Sequence, residues 1–365
     1  MQGRNQLIDV WRGISCLLVV IFHASEIFID TPEVQSMLPS FLLEILDLSD
    51  IGVICFFSIS GYCIMASASK YTPGIFIKNR IKRIFPAYIA ALSLFLVFNS
   101  LPSSYNNLDI ISNFLLTAPI TFYLFDGSLQ PIMRQAWSLF YELQFYLVVG
   151  MIMILRLNLY ALLAILTCFS FANTIVHLFT GSPFAAALFI DSNWLYFASG
   201  LFTYKLINGN VKKRKIAAYL APIITLLSLL VGVHLNFDPF LYFAISLLPM
   251  ITLLFQSERS AIRKKNILQE MFAKLGKISY SVYLTHIIFT DFFGEKLLAY
   301  SVTTPALALL AAIGLSIICT ILFSIIFYNL FERPLIRTQL NYFLKLPRCI
   351  KFLYLRTSHD KITSL

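Results

Sequence analysis

The sequence predicts an all-α integral membrane protein that crosses the bilayer about ten times, with both termini in the cytoplasm. Three observations carry this reading. Hydrophobic residues fill 58% of the 365 positions and charged residues only 13%, at a mean hydropathy of +0.78, which leaves too few polar side chains to cover a soluble globule of this length. Runs long enough to cross a bilayer, about 17 to 25 residues each, fall near 7–29, 49–68, 84–101, 137–155, 158–180, 184–204, 216–235, 238–256, 278–299 and 304–331. With the N-terminus inside, 26 of the 28 Lys and Arg residues fall on the cytoplasmic side and only Arg134 and Lys296 fall outside, the asymmetry that the positive-inside rule expects of an even number of spans. The net charge of +10 is therefore topological. Its partner is the anionic lipid bilayer rather than nucleic acid.

The first run, 7–29, holds Arg12 and His23 and has no small-residue cleavage site after a short apolar core, so it is read as a retained helix and not a signal peptide. Eleven residues at about 100° each make roughly three whole turns, so Arg12 and His23 share one helix face about 16 Å apart along the axis. A charge at bilayer depth costs on the order of 3 kcal/mol on insertion scales, so such residues face protein or a polar cavity. Arg12 at the cytoplasmic headgroups and His23 as a packing residue is the structural alternative. In the second run, the small residues of Gly52–Tyr62 allow close helix packing and offer the hydroxyls of Ser58 and Ser60 to a cavity.

At the predicted cytoplasmic start of the third helix stand Lys78, Arg80, Lys82 and Arg83, followed by Pro86. Guanidinium groups bind phosphate bidentately and a helix N-terminus attracts anions, so the segment suits a phosphorylated cytosolic ligand, unless it only sets topology. The loop 102–136 contains a moderately apolar run, 110–125, which lies on the membrane surface, re-enters it, or simply connects. Trp137–Tyr146 then opens the fourth helix from outside and carries Glu142 several residues into an apolar span. A carboxylate there needs a cation, an imidazolium or an Arg, whether for chemistry or to clamp two helices. His286 in the ninth run is a second intramembrane imidazole, serving either helix-to-helix hydrogen bonding or catalysis.

No soluble domain can be cut from the chain; the expected division is a membrane domain over 1–335 and a basic cytoplasmic tail over 336–365. Six scattered cysteines, with no CxxC and no His/Cys cluster at ligand spacing, predict free thiols and no metal site. There is no P-loop, no HExxH, no dinucleotide glycine fingerprint and no internal repeat of the kind many transporters carry.

Taken together, the segments resemble the acyltransferase-3 family of polytopic membrane acyltransferases, which includes bacterial O-antigen and exopolysaccharide O-acetylases. The resemblance runs along nearly the whole chain. It rests on Arg12-x10-His23, Phe56–Gly61, the Arg80, Arg83 and Pro86 element, Trp137–Tyr146, Tyr280–His286 and the closing Glu332-Arg333-Pro334. The chain ends soon after the tenth run, without the hydrolase-like domain fused to some members.

The resemblance implies transfer of an acyl group, usually acetyl, from cytosolic acetyl-CoA or another acyl-CoA to a hydroxyl of a cell-surface or lipid-linked glycan, in the bacterial cytoplasmic (inner) membrane and without a metal. His23 would be the general base and Glu142 would orient or charge-stabilise it. Arg12, Arg80, Arg83 and Lys78 would hold the coenzyme's phosphates, and Arg12 would also steady the developing oxyanion. Ser60, Tyr141, Trp137 and His286 would contact substrate, and transfer would be direct. The competing classes are a transporter or flippase of a lipid-linked glycan, which needs no coenzyme A, and an enzyme that O-acylates a small molecule.

Overall fold

The computed structural model describes residues 5–47, 51–98, 107–117, 131–180, 191–258, 266–301 and 304–334, and every regular element among them is helical. In chain order these are α1 (Gln6–Ile29), α2 (Pro32–Gln35), α3 (Ser40–Asp47), α4 (Ile51–Ala68), α5 (Pro73–Phe98), α6 (Asn107–Phe114), α7 (Ala136–Ile154) and α8 (Leu159–Thr180). They continue with α9 (Ser192–Ile207), α10 (Val211–Leu235), α11 (Asp238–Glu258), α12 (Ile267–Lys277), α13 (Ser279–Leu298) and α14 (Pro305–Phe327), which runs into a π-helical turn at Tyr328–Glu332. Each of the ten predicted runs overlaps a helix among the described residues; 184–190 of the sixth run lies outside them. Eight of those helices are long and apolar enough to cross a membrane; α9 is short at 16 residues, and α13 carries Asp291, Glu295 and Lys296 in its C-terminal half. The protein is a multi-pass membrane protein.

Two local expectations change. The third helix starts at Pro73, not after the basic cluster, so Arg80 and Arg83 lie about two turns inside it with Pro86 beyond them. The attraction of a helix N-terminus for anions therefore does not act on this cluster, because it fades within the first turn. The loop between α11 and α13 contains an additional helix, α12, capped by the Asn266 side chain on Leu268 N–H, with Glu270 in its first turn and Lys274 and Lys277 in its last. Residues 118–130, which hold half of the predicted 110–125 run, and the predicted tail 336–365 lie outside the described residues.

Helix α4 is the centre of the bundle, packed against α1, α7, α9 and α11, while α13 lies between α1 and α14 and reaches α5. At the periphery, α10 leaves Ile223, Leu226, Leu227 and Leu230 exposed and packs chiefly on α11, the apolar outer surface that lipid requires. Two crossings are set by glycine. A Cβ on Gly200 of α9 would collide with the Ser58 carbonyl of α4, and one on Gly276 of α12 would collide with the Asp9 carbonyl of α1. Only glycine lets these backbones touch, as small residues do at membrane helix crossings.

Gly200→Val should therefore cost about 1–3 kcal/mol by overpacking, read as a lower Tm of the protein in detergent. Gly314→Ala, inside α14 where an added Cβ meets nothing within 4 Å, should not lower Tm and should raise it slightly through helix propensity.

Candidate active site

Five of the residues singled out in the sequence meet in one cavity. Helical spacing brings them there: Arg80 and Arg83 at i, i+3 on α5, and Ser138, Glu142 and Tyr146 at i, i+4, i+8 on α7, each set on one face. Arg12 of α1 and Ser60 of α4 complete the lining, and Ser279, Tyr280 and Tyr283 of α13 close one wall. Counting its mouth, the space is about 700 Å³. Three guanidinium groups face one lining carboxylate, so the cavity carries excess positive charge.

The Glu142 carboxylate accepts hydrogen bonds from Ser60 Oγ at 3.0 Å and from the Tyr146 hydroxyl, both on the same oxygen. Glu142 and Glu332 both act electrostatically on Arg83, and the π turn that ends α14 holds Glu332 inside, where it accepts from Ser281 Oγ at 2.8 Å. Arg12 Nε donates to Ser279 Oγ at 3.2 Å. The Arg80 guanidinium lies 5.1 Å from the Tyr146 ring centroid and donates through Nη2 to the Cys63 carbonyl at 3.4 Å, while its Nε is buried with no hydrogen-bond partner among the described residues. A buried guanidinium nitrogen without an acceptor, aromatic-flanked and beside two more arginines, fits an anionic group such as phosphate.

His23 lies elsewhere. It lines a second pocket with Glu26, Asp30, Arg134, Asp291 and Glu295, and its side chain is only 11% exposed. Nδ1 is 2.9 Å from Glu26 Oε2; the same oxygen accepts from Arg134 at 2.9 Å, and Arg134 donates to Asp291 Oδ1 at 2.6 Å. The chain His23, Glu26, Arg134, Asp291 thus links α1 to α13. The carboxylate beside the imidazole is Glu26, one turn further along α1, and not Glu142, whose partners are Ser60 and Tyr146.

The two pockets share no lining residue. Both α1 and α13 contribute to each of them, from different stretches of the helix. Tyr283 lines the arginine cavity, and its hydroxyl donates to the Gln135 carbonyl at 2.7 Å and meets Ser138 Oγ at 2.5 Å. His286 follows one turn on, fully buried, with its ring 5.1 Å from that of His23. Lys78 is exposed and lines neither pocket. Trp137 and Tyr141 pack around Phe57, and the Tyr141 hydroxyl donates to Asp191, the N-cap of α9. Neither touches a pocket. Sequence reasoning missed Glu26, Arg134 and Asp291, although two signals were present: an acid at i+3 from His23, and an arginine stranded on the side that basic residues avoid.

A multi-pass helical protein with three arginines around one cavity and a carboxylate-held imidazole in a second pocket has the polar interior of a membrane enzyme rather than of a purely structural bundle. The chain belongs to the acyltransferase-3 family: the family's model, described as an acyltransferase domain, matches residues 5–328. It is therefore a membrane acyltransferase. The chain is also similar to "Protein 2 in picA locus" of Rhizobium radiobacter, 29% identical over 161 residues that cover 38% of this chain and 76% of that protein. No solved structure matches.

Arg134 is 49% exposed, so solvent screens its ion pairs and they contribute no more than about 1 kcal/mol. Arg134→Gln should accordingly shift Tm by only a few degrees while lowering acyl transfer clearly, since Glu26 then loses the group that fixes its orientation. A large Tm drop with transfer intact would reverse that assignment.

Proposed function

We propose that the protein is an O-acyltransferase, acting with acetyl by preference, that moves the acyl group of cytosolic acyl-CoA to a hydroxyl of a cell-surface or lipid-linked glycan in the bacterial cytoplasmic membrane. The observation that carries this reading is the convergence of Arg12, Arg80 and Arg83 on one cavity, with Arg80 Nε bare of any acceptor. In this reading that cavity holds the donor's phosphates and pantetheine arm, and the His23 pocket admits the acceptor. Lys78, exposed on α5, serves as an attracting charge at the cytoplasmic mouth rather than as a direct ligand. The membrane domain extends over 1–335, with 336–365 as a basic cytoplasmic tail.

His23 is the base. With its Nδ1–H donated to Glu26, the neutral imidazole presents the Nε2 lone pair that takes the acceptor's hydroxyl proton. Glu26 holds the tautomer and stabilises the imidazolium that forms, the part a buried carboxylate plays beside a catalytic histidine. As the alkoxide adds to the thioester carbon, negative charge develops on the carbonyl oxygen; Arg12 lies about 16 Å along α1 from His23, in the other pocket, so it serves the donor's phosphates and not this oxygen. Collapse expels the coenzyme as thiolate, and His23 returns its proton to that sulfur, so the imidazole ends as it began. Glu142 orients the arginines through charge and the Ser60 hydroxyl by hydrogen bonding. Trp137 and Tyr141 support this wall from behind.

The test is purified protein in lipid nanodiscs, radiolabelled acetyl-CoA and a glycan extract from cells that lack the chain. His23→Ala should abolish transfer at near-normal expression, and Glu26→Gln should lower kcat by a factor on the order of 10² to 10⁴. A His23→Ala protein that still modifies its acceptor removes the base. Arg80→Ala with Arg83→Ala should raise KM for acetyl-CoA at least tenfold, the loss of a charge-assisted phosphate contact; an unchanged KM excludes the phosphate role.

A further inference from the structure

We propose that His286 is a positioning residue for the donor: its Nε2 accepts a hydrogen bond from the amide N–H nearest the sulfur of a pantetheine thioester. This deepens the donor reading given above and rests on it.

The protonation pattern comes first. His286 Nδ1 lies 2.7 Å from the Tyr283 carbonyl oxygen. A carbonyl only accepts, so Nδ1 carries the hydrogen and Nε2 presents a lone pair. That lone pair is buried and has no hydrogen-bond partner among the described residues, a costly state for a polar atom unless a ligand supplies the donor. An imidazole in this tautomer takes a neutral donor such as an amide N–H.

Position then selects the ligand. On one face of α13, Tyr283 lines the arginine cavity and Thr290 and Asp291 line the His23 pocket. His286 falls between them, its ring 5.1 Å from the His23 ring. An arm that begins at the arginines and delivers a thioester to His23 must pass this point. In every coenzyme A thioester two carbons separate the sulfur from the nearest amide nitrogen, so a thioester poised beside His23 brings that N–H to its imidazole neighbour. A second acceptor adjoins the same turn: Gln135 donates through Nε2 to the Leu284 carbonyl at 3.4 Å, while its own Oε1 is buried without a partner. A pantetheine arm carries two amide N–H groups, and the wall between the pockets offers two bare acceptors.

The experiment measures binding, so it needs no acceptor. S-ethyl-coenzyme A, a thioether that cannot be transferred, is compared with its analogue in which the amide N–H nearest sulfur is replaced by an ester oxygen, both titrated onto the purified full chain in nanodiscs. Wild type should bind the ester analogue about tenfold more weakly, the cost of an unmet buried acceptor. His286→Phe should weaken the amide ligand by a similar factor and abolish the difference between the two, and His286→Gln should restore part of it. Equal wild-type affinity for the two ligands overturns the proposal even if the Phe variant fails to fold. So does a His286→Phe protein that still discriminates between them. Unchanged donor affinity in His286→Phe with transfer lost assigns the imidazole to the acceptor's hydroxyls and overturns it as well. Failure of wild type to bind S-ethyl-coenzyme A at all removes the donor reading itself; binding that depends on Arg80 but ignores the amide removes only the role of His286.

Discussion

Holding charge at bilayer depth is expensive, and the arrangement of this bundle follows from how each charge is answered. A guanidinium or carboxylate facing lipid costs several kcal/mol, so each must find a protein partner or a polar void. Helix α1 carries both Arg12 and His23 on one face, and two different solutions serve them. Arg12 is answered by Ser279 at the start of α13 and by the cavity it lines; His23 is answered by Glu26 on its own helix and, through Glu26, by Arg134 and Asp291. Both solutions run through α13, which explains why this helix is more polar than its neighbours and yet almost wholly buried along Ser279–Ile287. Its polarity is spent inward.

The same accounting separates the two carboxylates of the site. Glu142 sits among arginines, with its Oε1 occupied by Ser60 and Tyr146, so its charge compensates the cavity's positive excess. Glu26 sits against an imidazole and is shared with a half-exposed arginine. One carboxylate therefore balances fixed charge, and the other holds a titratable ring in one tautomer. Exchanging their roles would require Glu142 to leave two hydrogen bonds and enter a pocket that shares no lining residue with its own.

The fold class, the helical runs and most of the arginine cavity were legible in the sequence, because they depend on hydropathy and on helical period. Arg12, Ser60 and Glu142 stood out as polar groups inside apolar spans, where a polar group must face inward, and Arg80 and Arg83 as a basic cluster at the start of the third. Their division into two pockets was not legible, since it depends on which inward faces meet. Glu26 escaped notice because it lies near the predicted end of α1, where an acid needs no explanation. Asp291 and Glu295 were equally ordinary near the outer end of α13. The start of α5 was misread because hydropathy ends a span at the first charges, whereas the backbone continues to Pro73. Arginine side chains are long enough to leave a helix in place while their heads seek a cavity.

The wall itself has a chemical use under the proposed reaction. A thioester exposed to the carboxylate pocket, which is polar and open, would meet water at far higher concentration than any glycan hydroxyl, and an imidazole base activates water as readily as an alcohol. Excluding water from the reacting centre is one of the things a closed site does. Here the wall is built from groups that satisfy one another: Tyr283 hydrogen-bonds Ser138 and the Gln135 carbonyl, and the Gln135 amide holds the Leu284 carbonyl. Such a network stays shut until something replaces its contacts. A ligand with its own amide donors is suited to do so, because it can meet the bare acceptors of Gln135 and His286 as it passes. Water competing from the other side finds no carbonyl to attack until that exchange has taken place. Under the proposed reaction, that exchange would tie the approach of the thioester to the arrival of the donor's amides, a coupling that matters more where donor and acceptor occupy two pockets than in a single cleft.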